Sequence, residues 1–262
     1  MREDTLLNDF NRISLFEMDD VKLMNRIDTK YVIRRDVLQD ILKDLSEHYF
    51  VLEIQDKRSF PYISLYYDTH DNFMYKSHHN GKLNRYKIRF RKYVTSDSTF
   101  LEIKRKVKGT LTLKKRIEVP SIEDVLSIDS SEFIKKYTGF DNKDLEAKIF
   151  TNFDRITLVN KDFTERVTID RNLQFLTQSD KCSVLKNTVI IEVKRDFRVK
   201  RTQLIDILKK YRVQPSGMSK YCIGRAILHP ELKSNNFKQK ILTLNKFENA
   251  SFHYRIVNER VS

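Results

Sequence analysis

Residues 85–119 read RYKIRFRKYVTSDSTFLEIKRKVKGTLTLKKRIEV. Every second residue of Arg85-x-Lys87-x-Arg89-x-Arg91 is a cation, and related spacing returns in Glu102-x-Lys104-x-Lys106 and Lys114-x-Arg116-x-Glu118. Period two places each set on one face of a strand. The residues between them (Tyr86, Ile88, Phe90; Leu101, Ile103; Leu113, Ile117) make an apolar opposite face. From Lys82 to Arg116 there are 13 Lys or Arg and only two acids, Asp97 and Glu102. One sign of charge on three successive strands requires a polyanion to neutralise it.

Turn residues at Ser96-Asp97-Ser98 and Lys108-Gly109 divide this stretch into strands at 84–94, 98–107 and 111–119, an antiparallel meander. Working outward, β-branched, aromatic and alternating runs predict further strands at 25–33, 61–69, 149–160, 164–170 and 187–195. Helices are expected after Asp36, from the capping pattern Ser121-x-x-Asp124 to Tyr137, from Thr202, over 219–228, and near the N-terminus within 5–24. The predicted class is α+β, mainly antiparallel β: an eight-stranded closed tunnel or barrel with a basic interior and peripheral helices. Eight antiparallel strands can close around a small ligand. With no low-complexity linker or repeat, residues 1–262 are expected to form a single domain, with its core at about 24–229.

The chain has 262 residues and a net charge of +14, with 40% hydrophobic and 33% charged residues. That balance suits a folded protein with an anionic partner: nucleic acid, anionic lipid or a phosphorylated small molecule. Cys182 and Cys222 form no metal motif and are expected to be reduced. No apolar run is long enough to span a membrane, and the acidic N-terminal residues are wrong for a secretory signal. The expected location is therefore cytoplasmic. There is no P-loop motif and no nucleophile elbow.

Other charged sets join the meander. Arg26-x-Asp28-x-Lys30 and Glu192-x-Lys194 alternate in the same way, Arg155 and Arg166 lie on two more strands, and Lys220 precedes the last helix. Two like charges about 5 Å apart repel by about 3 kcal/mol at an effective dielectric near 20. A barrel lined by such groups is unstable unless Asp28, Glu102, Glu118 and Glu192, or bound phosphate, offset them. One such set alone reads as a solvated strand face; five in one β-rich chain read as a phosphate site. Arg suits phosphate through its forked donors, Lys as a movable charge.

The ordered runs R-x-D-x-K-Y, S-L-Y-Y-D-T, K-I-R-F-R-K-Y, L-E-I-K-R-K, L-K-K-R, F-D-R, E-R-V-T-I-D, I-I-E-V-K and M-S-K-Y-C-I-G resemble the VTC domain. That is the catalytic domain of vacuolar transporter chaperone-type polyphosphate polymerases and their bacterial relatives. It belongs to the triphosphate tunnel metalloenzymes, with the related CYTH domains. The resemblance implies a β-tunnel that takes ATP or another triphosphate and a polyphosphate chain, with a divalent metal, Mn²⁺ or Mg²⁺. By motif it implies phosphate-binding roles for Lys30, Arg89, Arg91, Lys104, Arg155 and Lys220, with Arg166 a further tunnel cation; the charge alternation adds Lys87 and Lys194 to the phosphate-binding set. The twin basic residues leave open which of Lys114, Lys115 and Arg116 join them; alternation favours Lys114 and Arg116. Glu192 matches the metal ligand. Arg89, Arg91, Lys104, Arg155 and Glu192 are the expected catalytic set.

One departure is the first strand, R-x-D-x-K here where CYTH relatives carry E-x-E-x-K; this weakens a two-metal hydrolytic reading. The leading expectation is a metal-dependent phosphotransferase that moves the terminal phosphate of ATP to polyphosphate. A triphosphatase and a non-catalytic polyanion-binding module are the alternatives. No specific nucleic acid is expected, because the basic strands lack ordered stacking aromatics. A membrane protein partner for product export is compatible with the resemblance, and the oligomeric state stays open. Asp68 is expected to fix a turn or an inward Arg, Tyr31 and Tyr221 to pack, and His78-His79 to sit in a polar loop.

Overall fold

A computed structural model describes residues 3–19, 26–107, 112–179 and 181–258. In chain order the elements are α1 (Glu3–Leu6), β1 (Asn11–Ile13), α2 (Leu15–Asp19), β2 (Arg26–Arg34), α3 (Arg35–Leu45), β3 (Tyr49–Leu52), β4 (Phe60–Thr69), α4 (Phe73–His79), β5 (Arg85–Tyr93), β6 (Ser98–Lys106) and β7 (Thr112–Val119). They continue with α5 (Ile128–Thr138), β8 (Leu145–Asn160), β9 (Glu165–Leu176), β10 (Cys182–Leu185), β11 (Thr188–Asp196), α6 (Gln203–Lys210), α7 (Lys220–Leu228) and α8 (Lys238–Asn258).

The fold is α+β and mainly antiparallel, as the alternation predicts. Eight strands run β2-β11-β9-β8-β4-β5-β6-β7, with the short β1, β3 and β10 alongside. The expected meander is β5-β6-β7, with Arg89 opposite Glu102 and Glu102 opposite Arg116. Its Ser96-Asp97-Ser98 turn places Asp97 at φ 51; the Lys108-Gly109 turn lies outside the described residues. Irregularities at Tyr66/Tyr67 on β4 and Asn152/Asp154 on β8 bend the sheet around its charged face. No ladder joins the end strands β2 and β7 among the described residues. Backbone pairing therefore leaves a seam in the ring, although side chains of both end strands reach the interior.

Helices cover the outer, apolar face. Leu38, Ile41, Leu42 and Leu45 of α3 are buried beside Ile156, Ile169 and Ile191, each such side chain contributing about 1.5–3 kcal/mol. The buried face of α7 packs on Ile149, Leu173 and Phe175, and Ile134 of α5 lies in the cluster with Ile88, Phe90, Leu101 and Ile103. Thr202 and Ser219 cap α6 and α7, accepting from Ile205 N and Cys222 N.

Two local expectations fail. Helix α5 starts after Ser127, which accepts from Ser130 N. Ser121 caps nothing, and Glu123 instead accepts from Ser127 N at 2.9 Å. The N-terminal segment is two short helices around β1 rather than a helix and a short connection. Arg58 donates to the carbonyls of Leu7 and Phe10, and β1 pairs in parallel with β3. Among the described residues, no helix is long and apolar enough to cross a membrane.

Candidate functional site

The inward faces of seven strands and the start of α7 line one cavity of about 190 Å³. Strand β5 contributes Lys87, Arg89 and Arg91, while its alternate residues Ile88 and Phe90 are buried on the outer side. Glu102 and Lys104 come from β6, Arg155 from β8, Asp170 from β9, Glu192 and Lys194 from β11, and Asp28 and Lys30 from β2. Tyr66 of β4 and Ser219 and Lys220 of the α7 start complete the polar lining. Eight cations and four carboxylates thus share one small space, an excess of four positive charges.

Three carboxylates each hold two cations. Arg155 donates to both Asp170 oxygens at 2.6 and 2.8 Å, and Lys220 donates to the same carboxylate. Arg89 reaches Glu102 at 2.6 and 2.8 Å, with Lys114 on its other oxygen at 2.5 Å. Glu192 takes Lys194 at 2.9 Å and Lys30. Burial alone would raise these three acids, but the adjacent cations outweigh it and hold all three well below the ordinary carboxylate range.

The remaining cations have no carboxylate hydrogen-bonded to them. Arg91 donates to Ser64 Oγ at 3.1 Å and lies over the rings of Tyr62 and Phe153. Lys87 donates to Ser219 Oγ at 3.3 Å. Lys104 lines the cavity with no ion pair or hydrogen bond among the described residues. The charge of Arg89, then burial, pushes the Lys104 ammonium well down; burial and the neighbouring cations lower Lys87. Burial brings Lys194 and Lys220 to about 8. The Tyr66 phenol accepts from Arg89 at 3.0 Å. Burial works to raise it, and Arg89, Arg91 and Lys87 overcome that, bringing it to about 8.

Of the residues singled out from the sequence, Lys30, Lys87, Arg89, Arg91, Lys104, Arg155, Glu192, Lys194 and Lys220 meet in this cavity. Lys114 reaches it through Glu102. Arg116 and Arg166 line an adjoining cavity. Lys115 is elsewhere: it lies over the ring of Tyr137 in α5, on the outer face, as strict alternation along β7 dictates. His78 and His79 are in α4, not in a polar loop, and burial and nearby cations hold His78 down at about 3. Asp68 fixes the turn into α4, accepting from Met74 N and Tyr75 N at 2.8 Å each and from Tyr221 at 2.5 Å; no inward Arg is involved. Tyr66 and Asp170 went unassigned at the level of sequence. Period two from Tyr62 through Ser64 to Tyr66, and from Arg166 through Thr168 to Asp170, was the available signal.

The resemblance implies a divalent metal at Glu192. Among the described residues no three His, Cys, Asp or Glu side chains gather into a metal cage. Asp28 and Glu192 line the same cavity. This donor set fits an ion of the magnesium or manganese kind, which accepts one or two carboxylates and completes its shell with phosphate oxygens.

The family model described as the VTC domain matches residues 25–229. No curated protein matches the chain. Among solved structures, it is similar to HpAC1 from Hippeastrum, described as having a dominant triphosphatase activity, at 14% identity and a TM-score of 0.47, covering 77% of this chain and 95% of that one. It is also similar to PH1819 from Pyrococcus horikoshii at 12% identity and a TM-score of 0.45, covering 77% of this chain and 98% of that one.

Proposed function

Because this chain belongs to the VTC domain family, we propose that it is a metal-dependent phosphotransferase that extends polyphosphate from ATP, with residues 1–262 acting as one tunnel domain. The observation that carries this reading is the excess of four positive charges in one small cavity whose carboxylates are already engaged. Such a cavity suits a ligand that brings several negative charges on one narrow chain.

In this reading Arg89, Arg91, Lys104 and Arg155 hold the phosphates of the nucleotide in the cavity. Arg91 and Lys104 act first, since no carboxylate competes for them through a hydrogen bond. Lys30, Lys87, Lys194 and Lys220 neutralise the growing chain, and Lys114, Arg116 and Arg166 extend the basic path beyond the cavity. Glu192, with Asp28 nearby, would hold Mn²⁺ or Mg²⁺, which when bound neutralises charge on the phosphoryl oxygens. A terminal oxygen of polyphosphate attacks the γ-phosphorus, the bond to the β,γ-bridging oxygen breaks, and ADP leaves with that electron pair. The protein's share is positioning and charge stabilisation, which supply most of the rate in phosphoryl transfer.

The test is incubation of the purified protein with ATP and Mn²⁺, with and without a short polyphosphate primer, resolving long chains, ADP and free phosphate. Long chains with ADP are expected. Free phosphate alone would make the protein a triphosphatase. Tight polyphosphate binding with neither product, unaffected by Glu192→Gln, would make it a binding module.

A further inference from the structure

Strand β4 adds no cation to the inner cavity; what it places there is Tyr66, which is 5% exposed. The ring is fixed from two sides. It stacks on Tyr221 of α7 with the centroids 5.3 Å apart, and the Arg89 guanidinium lies 5.7 Å from its centroid. Tyr66 and Arg89 are register partners across the β4–β5 ladder. Arg89 is held in turn by Glu102, through Nε and Nη2 at 2.8 and 2.6 Å, and its Nη1 donates to the Tyr66 oxygen at 3.0 Å.

A phenol accepts through its oxygen and has one proton to give. Arg89 takes the accepting side. The proton is left over: the Arg89 contact is the one hydrogen bond of this hydroxyl among the described residues. The charges that act most on it belong to Arg89, Arg91 and Lys87, and guanidinium and ammonium groups only donate. Ser64, two residues back on the same face of β4, already accepts from Arg91 at 3.1 Å. Buried donors in folded proteins are normally partnered. This one lines a cavity with an excess of positive charge, and the polyanion that such a cavity draws brings acceptor oxygens.

We propose that Tyr66 is a catalytic residue that touches the substrate: its hydroxyl donates a hydrogen bond to an oxygen of the phosphoryl group as that group passes from nucleotide to chain. This rests on the phosphotransferase reading above. In that reading Arg89 and Arg91 hold the nucleotide and Lys87 the chain, and Tyr66 stands opposite Arg89, the middle cation of the three. The proton stays on the phenol throughout, and the bonds made and broken are those already given. Lysines neutralise phosphate over a range of positions; a neutral donor on a fixed ring selects one oxygen.

The test uses Tyr66→Phe, which keeps the ring and its stacking and removes only the hydroxyl. A melting temperature matching that of the wild type reports intact folding. At pH 7, below the phenol's value of about 8, calorimetry of tripolyphosphate binding to the full chain should show affinity lowered by about tenfold or more, the worth of a hydrogen bond to a charged oxygen. Turnover of ATP into polyphosphate should fall at least as far. The same substitution in an Arg89→Lys background separates a direct contact from one made through the arginine, and a further loss of about tenfold is expected there. Unchanged affinity in Tyr66→Phe, or a loss that vanishes in the Arg89→Lys background, overturns the contact. Wild-type protein that binds tripolyphosphate but forms no polyphosphate from ATP overturns the phosphotransferase reading instead, and the affinity loss in Tyr66→Phe would still uphold the phosphate contact.

Discussion

Asp170 holds Arg155 through two hydrogen bonds and Lys220 through a third. It is 2% exposed, and so has no water to replace either partner. Asp170→Asn removes the charge and leaves two buried cations facing each other. Breaking a buried pair from one side costs about 3–5 kcal/mol, so the variant should unfold at lower temperature. Tripolyphosphate can supply the missing negative charge, and should raise the melting temperature of the variant more than that of the wild type. Equal shifts in a thermal scan would mean that ligand phosphate does not reach Arg155 and Lys220. Glu192→Gln is the contrasting case, because Glu192 retains 18% exposure. It should abolish metal-dependent turnover while tripolyphosphate binding, measured without metal, is kept or tightened; lost binding would make Glu192 a scaffold for Lys30 and Lys194 rather than a metal ligand. The cations of this site were legible from alternation because each set lies on one continuous strand. The pairing of acids with them was not, since Asp170 and Lys220 lie 50 positions apart and Lys30 and Glu192 lie 162 apart.

The element that carries Lys220 into the cavity is α7, and a glycine sets how closely it approaches the sheet. A Cβ at Gly224 would stand 2.6 Å from Phe175 Cδ1 and 2.8 Å from Ile149 Cδ1. Those rings and methyls belong to the buried core beneath the helix, so Gly224→Ala forces α7 outward at a cost of about 1–3 kcal/mol. Ser219 and Lys220 move with it. Melting temperature and tripolyphosphate affinity should therefore fall together; a fall in melting temperature alone would separate the helix's packing from the site. Helix α7 was legible from its capping serine and apolar residues, and the main strands from alternation. Helix α8 was not. Among its described side chains only Leu244 is buried. Its fastening is polar: Glu248 accepts from Lys186 N and Asn187 N at 3.0 and 3.1 Å and from Thr188 Oγ1 at 2.8 Å. Hydrophobic periodicity does not register such an anchor. Strands β1 and β3, at three and four residues, are too short to show alternation at all.

Across the whole molecule, the +14 charge and the cavity's local excess make proton binding part of ligand binding. Lys194 and Lys220 titrate at about 8 in the folded protein, against an ordinary 10.5. Between those values the unfolded chain holds more protons than the folded one, so this contribution makes stability rise with pH across that window. The acids Glu102, Asp170 and Glu192 act with the other sign: their folded values are lowered, so their stabilisation is present above the ordinary carboxylate range and is lost as pH falls from that range down through the lowered folded values. A bound polyanion restores the lysines toward their ordinary values, since an opposite charge favours the ammonium form. It also pushes the Tyr66 phenol, at about 8, upward, and both changes take up protons. Metal-free ATP at about pH 8.5 has phosphates already ionised and releases few protons of its own. Calorimetric titration there, in two buffers of different ionisation enthalpy, should show net proton uptake, and affinity should increase as pH is lowered towards 8. Zero uptake, or release, would mean that the nucleotide's phosphates stop short of Lys194, Lys220 and Tyr66, and that the charge at the centre of the tunnel is neutralised by its own carboxylates alone.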